Sequence, residues 1–161
     1  MTRMTLGKAI ALAALGFCVG ATAADLPTRH VLTLNAARQV IAAAERQALQ
    51  KGWPCVVAVT DDAGYLIALD RMDGSPMLAS VELAPAKART AALFRKPSQA
   101  LEDGIRAGRV AAVTAGFVEM SGGLPLMVDG ELIGAVGVSS AQPDWDVQIA
   151  AAGAAALGAK P

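Results

Sequence analysis

Apolar side chains recur at three- and four-residue steps at Ala37, Val40, Ile41, Ala44 and Ala48, while Arg38, Glu45, Arg46 and Gln50 take the other side. That period is helical. The pattern predicts a helix from a Thr33 or Asn35 cap to Lys51, with Gly52 at the position after the helix where glycine stops it. Cys55 to Thr60 is a nearly unbroken β-branched run, suited to a strand buried on both faces. Asp61 to Gly64 is turn chemistry, and Tyr65 to Leu69 returns as an antiparallel partner. Met77 to Phe94 reads as a second helix with Val81, Ala84, Ala88 and Ala91 on one face, kinked or delayed by Pro85.

Pro97 to Val113 reads as one short helix plus loop, and Phe117 to Met120 as a short strand. Leu124 to Val128 and Glu131 to Val138 form a hairpin through Asp129-Gly130, a pair that favours positive φ. Pro143 to Leu157 is the last helix, with Val147, Ala151, Ala154 and Leu157 expected inward. The expected architecture is one α+β domain: an antiparallel sheet of about five strands with flanking helices.

The first residues follow a different logic. Arg3 and Lys8 precede an apolar run from Ala9 to Gly20, and Ala21-Thr22-Ala23 supplies small residues for cleavage. Residues 1–23 are therefore expected to be a signal peptide, cut after Ala23 or Ala24. The run falls short of the ~20 apolar residues of a membrane span. The domain then occupies residues 24–161, in a periplasmic or secreted location. Export would also remove Cys18 and leave Cys55 alone, so the mature chain is expected to hold no internal disulfide.

Composition narrows the class. Apolar residues make up 54% of the 161, charged residues 17%, and 36 are alanine, which indicates a compact core of small side chains. Fourteen cations balance fourteen anions, so no net field draws nucleic acid. An alanine-coated last helix, together with glycines at 122, 123, 134 and 137, points to close backbone approaches and a homo-oligomer. For Gly134 and Gly137, an alanine-rich helix lying close on the sheet and room for a flat ligand are both open.

Candidate chemistry is sparse. His30 is the single histidine and stands in the tail before the first helix. Asp61-Asp62 and Asp70 with Asp73 pair carboxylates at turns, where bonds to local backbone N–H groups are the expected use. The glycines at 130, 134 and 137 do not form a dinucleotide fingerprint. An enzyme or accessory protein acting on a small periplasmic metabolite would have to use Lys87, Asp73 and the amides of Gly122 and Gly123.

Several segments carry a resemblance: Leu32-Thr-Leu34, Val59-Thr-Asp-Asp-Ala-Gly64, Arg71-Met-Asp-Gly74 and Ala86-Lys-Ala-Arg-Thr-Ala91. Gly122-Gly-Leu-Pro125, Gly130 to Ser139 and Asp146 to Gly153 continue it in order. From Leu32 to Leu157 the chain resembles the GlcG/HbpS family of haem-binding proteins. The resemblance implies a profilin-like α/β sandwich, a homo-oligomer that is often an octamer, and haem or another tetrapyrrole as ligand. In some members it implies work beside a sensor kinase. The family's axial ligand is a histidine or a hydroxyl side chain, for which His30, Thr90 and Ser98 are the candidates here. Lys87 and Arg89 could meet the propionates.

Overall fold

A computed structural model describes residues 25–158; the expected signal peptide lies outside the described residues. Helix α1 (Leu34–Lys51) starts where Thr33 Oγ1 accepts the Ala36 N–H and stops at Gly52, whose φ is 69°. Strands β1 (Val56–Asp61) and β2 (Leu66–Arg71) form the first hairpin. Asp61 closes the turn by accepting the N–H groups of Ala63 and Tyr65, the local role expected of it. Helices α2 (Ser80–Phe94) and α3 (Gln99–Arg106) follow, then a 3-10 helix at Val110–Ala115. Strands β3 (Gly123–Val128) and β4 (Glu131–Ser139) turn through Asp129 and Gly130, with φ of 50° and 79°. Helix α4 (Pro143–Ala155) closes the fold.

Among the described residues the sheet has four strands in the order β2-β1-β4-β3, all antiparallel, and not five. Residues 117–120 form no ladder. The Phe117 ring packs edge-on to Phe94 at 5.0 Å, and the Met120 carbonyl accepts the Ser98 hydroxyl at 2.6 Å. Side chains and one hydroxyl hold this segment, so its backbone is not in strand pairing.

Alternation along the central strands sorts the core into two layers. Val57, Val59, Val136 and Val138 face α1 and α4 with Val40, Ile41 and Ile149. Val56, Ala58, Ala135 and Gly137 face α2, where Ala84, Ala88 and Ala91 meet them. The α2 side is built of minimal side chains, so that helix lies almost on the sheet backbone. A Cβ at Gly137 would stand 2.0 Å from the Ala84 carbonyl oxygen, and one at Gly123 would stand 2.3 Å from that of Lys87. At Gly137 the alanine-helix explanation therefore holds; at Gly134 the crowding atoms are the Thr60 carbonyl and Leu32.

Two helix faces differ from expectation. Val81 is exposed, because α2 begins at Ser80 and Val81 lies at its solvent-facing start. In α4 the buried positions are Asp146, Ile149, Ala150 and Gly153, while Ala151 is exposed and Val147, Ala154 and Leu157 are half-buried. An alanine helix has little apolar contrast to set its rotation. Here Gly153 sets it by fitting against Val40 and Ala44 of α1.

Candidate functional site

The residue that breaks the small-side-chain rule of α2 is Lys87. It is 2% exposed, and its ammonium donates to Asp146 Oδ2 at 2.7 Å and to the Val138 carbonyl at 3.1 Å. The other Asp146 oxygen accepts the Ser140 N–H at 2.7 Å and the Ser140 hydroxyl at 2.5 Å. Both charges are thus buried but bonded, the condition under which an interior ion pair persists. Gly122 makes the approach possible. Its φ is 111°, and a Cβ there would lie 2.7 Å from both Asp146 Cβ and the Val138 carbonyl oxygen. Next to it, Gly123 N–H donates to Ser98 Oγ at 2.8 Å, fixing the start of β3 against α3.

A cleft of about 180 Å³ opens over this pair, with Met77, Met120, Gln142 and Pro143 on its walls. Glu102 lies at its side and accepts both the N–H and the hydroxyl of Ser121. Partial burial pushes the Glu102 carboxyl up. The two Ser121 bonds, with Arg106 and Lys87 nearby, outweigh that and hold it below the ordinary carboxylate range.

The structure brings Lys87, Gly122 and Gly123 together, with Ser98 alongside. Asp73 is not among them; it is exposed in the loop after β2, and Asp146 is the carboxylate that meets Lys87. Arg89 is also exposed and lies across Gly64 in the β1–β2 turn. Thr90 is fully buried and its hydroxyl donates to the Ala86 carbonyl at 2.9 Å, while Ser98 is buried and donates to Met120.

His30 lies at the other end of the β3–β4 hairpin, beside Glu131. Its Nδ1 is 2.8 Å from Glu131 Oε2, and its backbone N–H donates to the same oxygen at 3.1 Å. Those bonds hold the Glu131 carboxyl below its usual range. His30 and Glu131 line an open pocket of about 240 Å³ together with Thr28 and Arg29.

Cys55 is buried and free, with Sγ 3.6 Å from Met72 Sδ. Burial, reinforced by the Asp146 and Glu45 carboxylates, pushes its thiol up to about 12. It is an inert core residue.

Residues that sequence reasoning missed are Asp146, Ser140, Glu102 and Ser121. An aspartate in the first turn of a helix is what the helix dipole favours in any case, so Asp146 gave no separate signal.

With this geometry in place, residues 32–155 match the family described as haem degrading protein HbpS-like. The chain belongs to this family. It is 42% identical over 115 residues to Protein GlcG of Escherichia coli K12, covering 71% of this chain and 85% of that one. A double mutant of Streptomyces reticuli HbpS superposes with a TM-score of 0.77 at 32% identity, over 88% of this chain and 97% of that one. A PduOC:haem complex superposes with a TM-score of 0.71 at 32% identity, over 79% and 95% of the two chains.

Proposed function

We propose that this family member is an exported haem-binding protein in which His30 is the axial ligand. The carrying observation is the His30–Glu131 contact. A ligating histidine commonly gives its second ring nitrogen to a carboxylate, which fixes the ring and raises its basicity. Nδ1 is so engaged here, and among the described residues Nε2 has no hydrogen-bond partner. Thr90 and Ser98 spend their hydroxyls on internal carbonyls. Haem would supply an iron with an axial position and two propionates. Arg29, on the same pocket, is the nearest cation to meet a propionate, by exchanging out of its pair with Asp62.

One subunit offers this site a ligand but not two walls. Leu26, Val31 and Leu34 around His30 are exposed, as are Tyr65, Leu66, Leu78 and Val110 elsewhere. Surface of that kind is covered by self-association, so the reading includes a homo-oligomer, with the octamer and sensor-kinase partner implied by the resemblance. Export rests on the Arg3–Ala23 pattern. Among the described residues no helix is long and apolar enough to cross a membrane.

Haem titration into the chain beginning at Ala24 tests the reading. Saturable growth of a Soret band is expected, with His30→Ala changing its position and Glu131→Ala weakening binding. No saturable band removes the function; an unchanged band in His30→Ala removes the axial assignment. Light scattering giving the mass of one chain removes the oligomer.

A second reading, a small-metabolite enzyme or accessory, is favoured by the burial of Lys87 beneath the cleft. It predicts that Lys87→Met abolishes turnover while the haem spectrum is kept.

A further inference from the structure

Helix α1 buries one side against the sheet and carries Leu34, Arg38, Ala42, Glu45 and Leu49 along another. Steps of three and four residues keep these five on one stripe. Its two ends are open leucines, Leu34 at 46% and Leu49 at 69% exposure. The other three, with Leu34, line a groove of about 500 Å³ whose far wall is Ile67 to Asp70 of the edge strand β2. Among the described residues neither Arg38 nor Glu45 has an ion-pair partner. They stand seven residues apart, about 10 Å along the axis, so one helix cannot pair them. Glu45 has a carboxylate for a neighbour instead: partial burial, then Asp70, push its own carboxyl up.

The stripe is self-complementary about the midpoint between Ile41 and Ala42. A second α1 laid against it end for end sets the partner's Glu45 opposite Arg38 and the partner's Arg38 opposite Glu45. The same register sets the partner's Leu49 opposite Leu34, and the short Ala42 stands at the centre, where two helices must approach most closely. A slip of four residues either way sets Arg38 against the partner's Leu49 or the partner's Ile41 and leaves both charges unanswered. We propose that this face of α1 is an isologous interface, on which a second copy of the chain packs its own α1 antiparallel about a twofold axis at Ile41–Ala42. An extended peptide added to the β2 edge would also occupy the groove, but it leaves Leu49, which lies beyond the groove, uncovered and the symmetry of the charges without a use. The proposal rests on the homo-oligomer of the haem reading and names the surface that forms it.

Cysteine cross-linking of the chain beginning at Ala24 tests the register, since its own Cys55 is buried. Two copies of position 42 are offset by about 1.5 Å along the helix axes, and two copies of position 34 by about 22 Å. Ala42→Cys should therefore form a disulfide-linked pair under mild oxidation, and Leu34→Cys should not, because a disulfide needs Cα atoms within about 7 Å. Combining Leu34→Cys with Leu49→Cys should restore linking. Arg38→Glu and Glu45→Arg should each weaken assembly at least about tenfold by setting like charges opposite, and the double reversal should bring it back to within about threefold of the unaltered chain, as read by light scattering on dilution. A multi-chain particle that does not link through position 42 assembles elsewhere and leaves the groove to another occupant; that overturns this interface and leaves the haem reading standing. Linking by Leu34→Cys alone, or a double reversal as weak as the single ones, overturns it equally. A mass of one chain for the unaltered protein removes both this interface and the oligomer, while the haem titration still decides the ligand.

Discussion

Lys87 and Asp146, 59 residues apart in the chain, meet at 2.7 Å in the interior and tie α2 to α4 around the end of β4. The contact exists because three neighbours have no side chain or a short one. Gly122 and Gly123 let β3 enter under α2, and Ser140 brings its N–H and hydroxyl to the free oxygen of Asp146.

Removing one partner of this pair should cost far more than removing both. Lys87→Met strands the Asp146 carboxylate on Ser140 alone, and a loss of about 3–5 kcal/mol is expected for breaking a buried pair. Lys87→Met combined with Asp146→Leu should recover most of that loss. Urea unfolding of the two single variants, the double variant and the unaltered chain measures the coupling. Simply additive losses would show that the pair does not act as a unit.

Gly137→Ala tests the close seating of α2. The new Cβ would meet backbone atoms, 2.0 Å from the Ala84 oxygen and 2.6 Å from the Ala88 nitrogen, and no side chain can swing aside to relieve it. Overpacking commonly costs about 1–3 kcal/mol, and a clash with helix backbone should lie at or above the top of that range. Gly104→Ala is the contrast, because its Cβ meets open space. A gain of about 0.5–1 kcal/mol is expected from the helix propensity alone. Thermal melts of the two proteins should shift in opposite directions; a tolerated Gly137→Ala would refute the seating.

Glu102 should shape the acid limb of the stability curve. Its folded-state pKa lies below the ordinary 4.5, chiefly because the Ser121 bonds outweigh its partial burial. The unfolded chain therefore takes up the proton first as pH falls. Its contribution is fully present above about pH 4.5 and is lost as pH drops through the lowered folded value. Glu102→Gln should flatten stability against pH below 4.5 and leave its shape near pH 7 unchanged, as read by denaturant midpoints. An identical acid limb in the variant would exclude the role.

The elements whose signals are local were legible in the sequence. Thr33 and Gly52 bracket α1 by capping chemistry that needs only neighbouring backbone. Asp129-Gly130 specifies its hairpin through positive φ at both positions. The β-branched run at Cys55 to Thr60 reads as a central strand, and β1 is central, between β2 and β4. Where signals were weak the reading erred. Phe117 to Met120 has strand-like side chains, but the Met120 carbonyl accepts the Ser98 hydroxyl and the Phe117 ring packs on Phe94. Alanine on every side of α4 concealed its rotation until Gly153 and Asp146 were seen to face the interior.

The candidate site divides along the same line. Lys87, Gly122 and Gly123 stood out as a cation in an apolar helix and as adjacent glycines, and the structure joins them. Asp146 and Ser140 were silent because a carboxylate or hydroxyl has no periodic signature, and its meaning depends on what lies across space from it. Pattern and turn chemistry act over a few residues, so the sequence by itself determined the helices, the two hairpins, the family and the small-residue core. Burial and charge pairing act between segments dozens of residues apart. Only the tertiary structure could decide that Lys87 is paired with Asp146 inside the fold and that Asp73 is solvent-exposed.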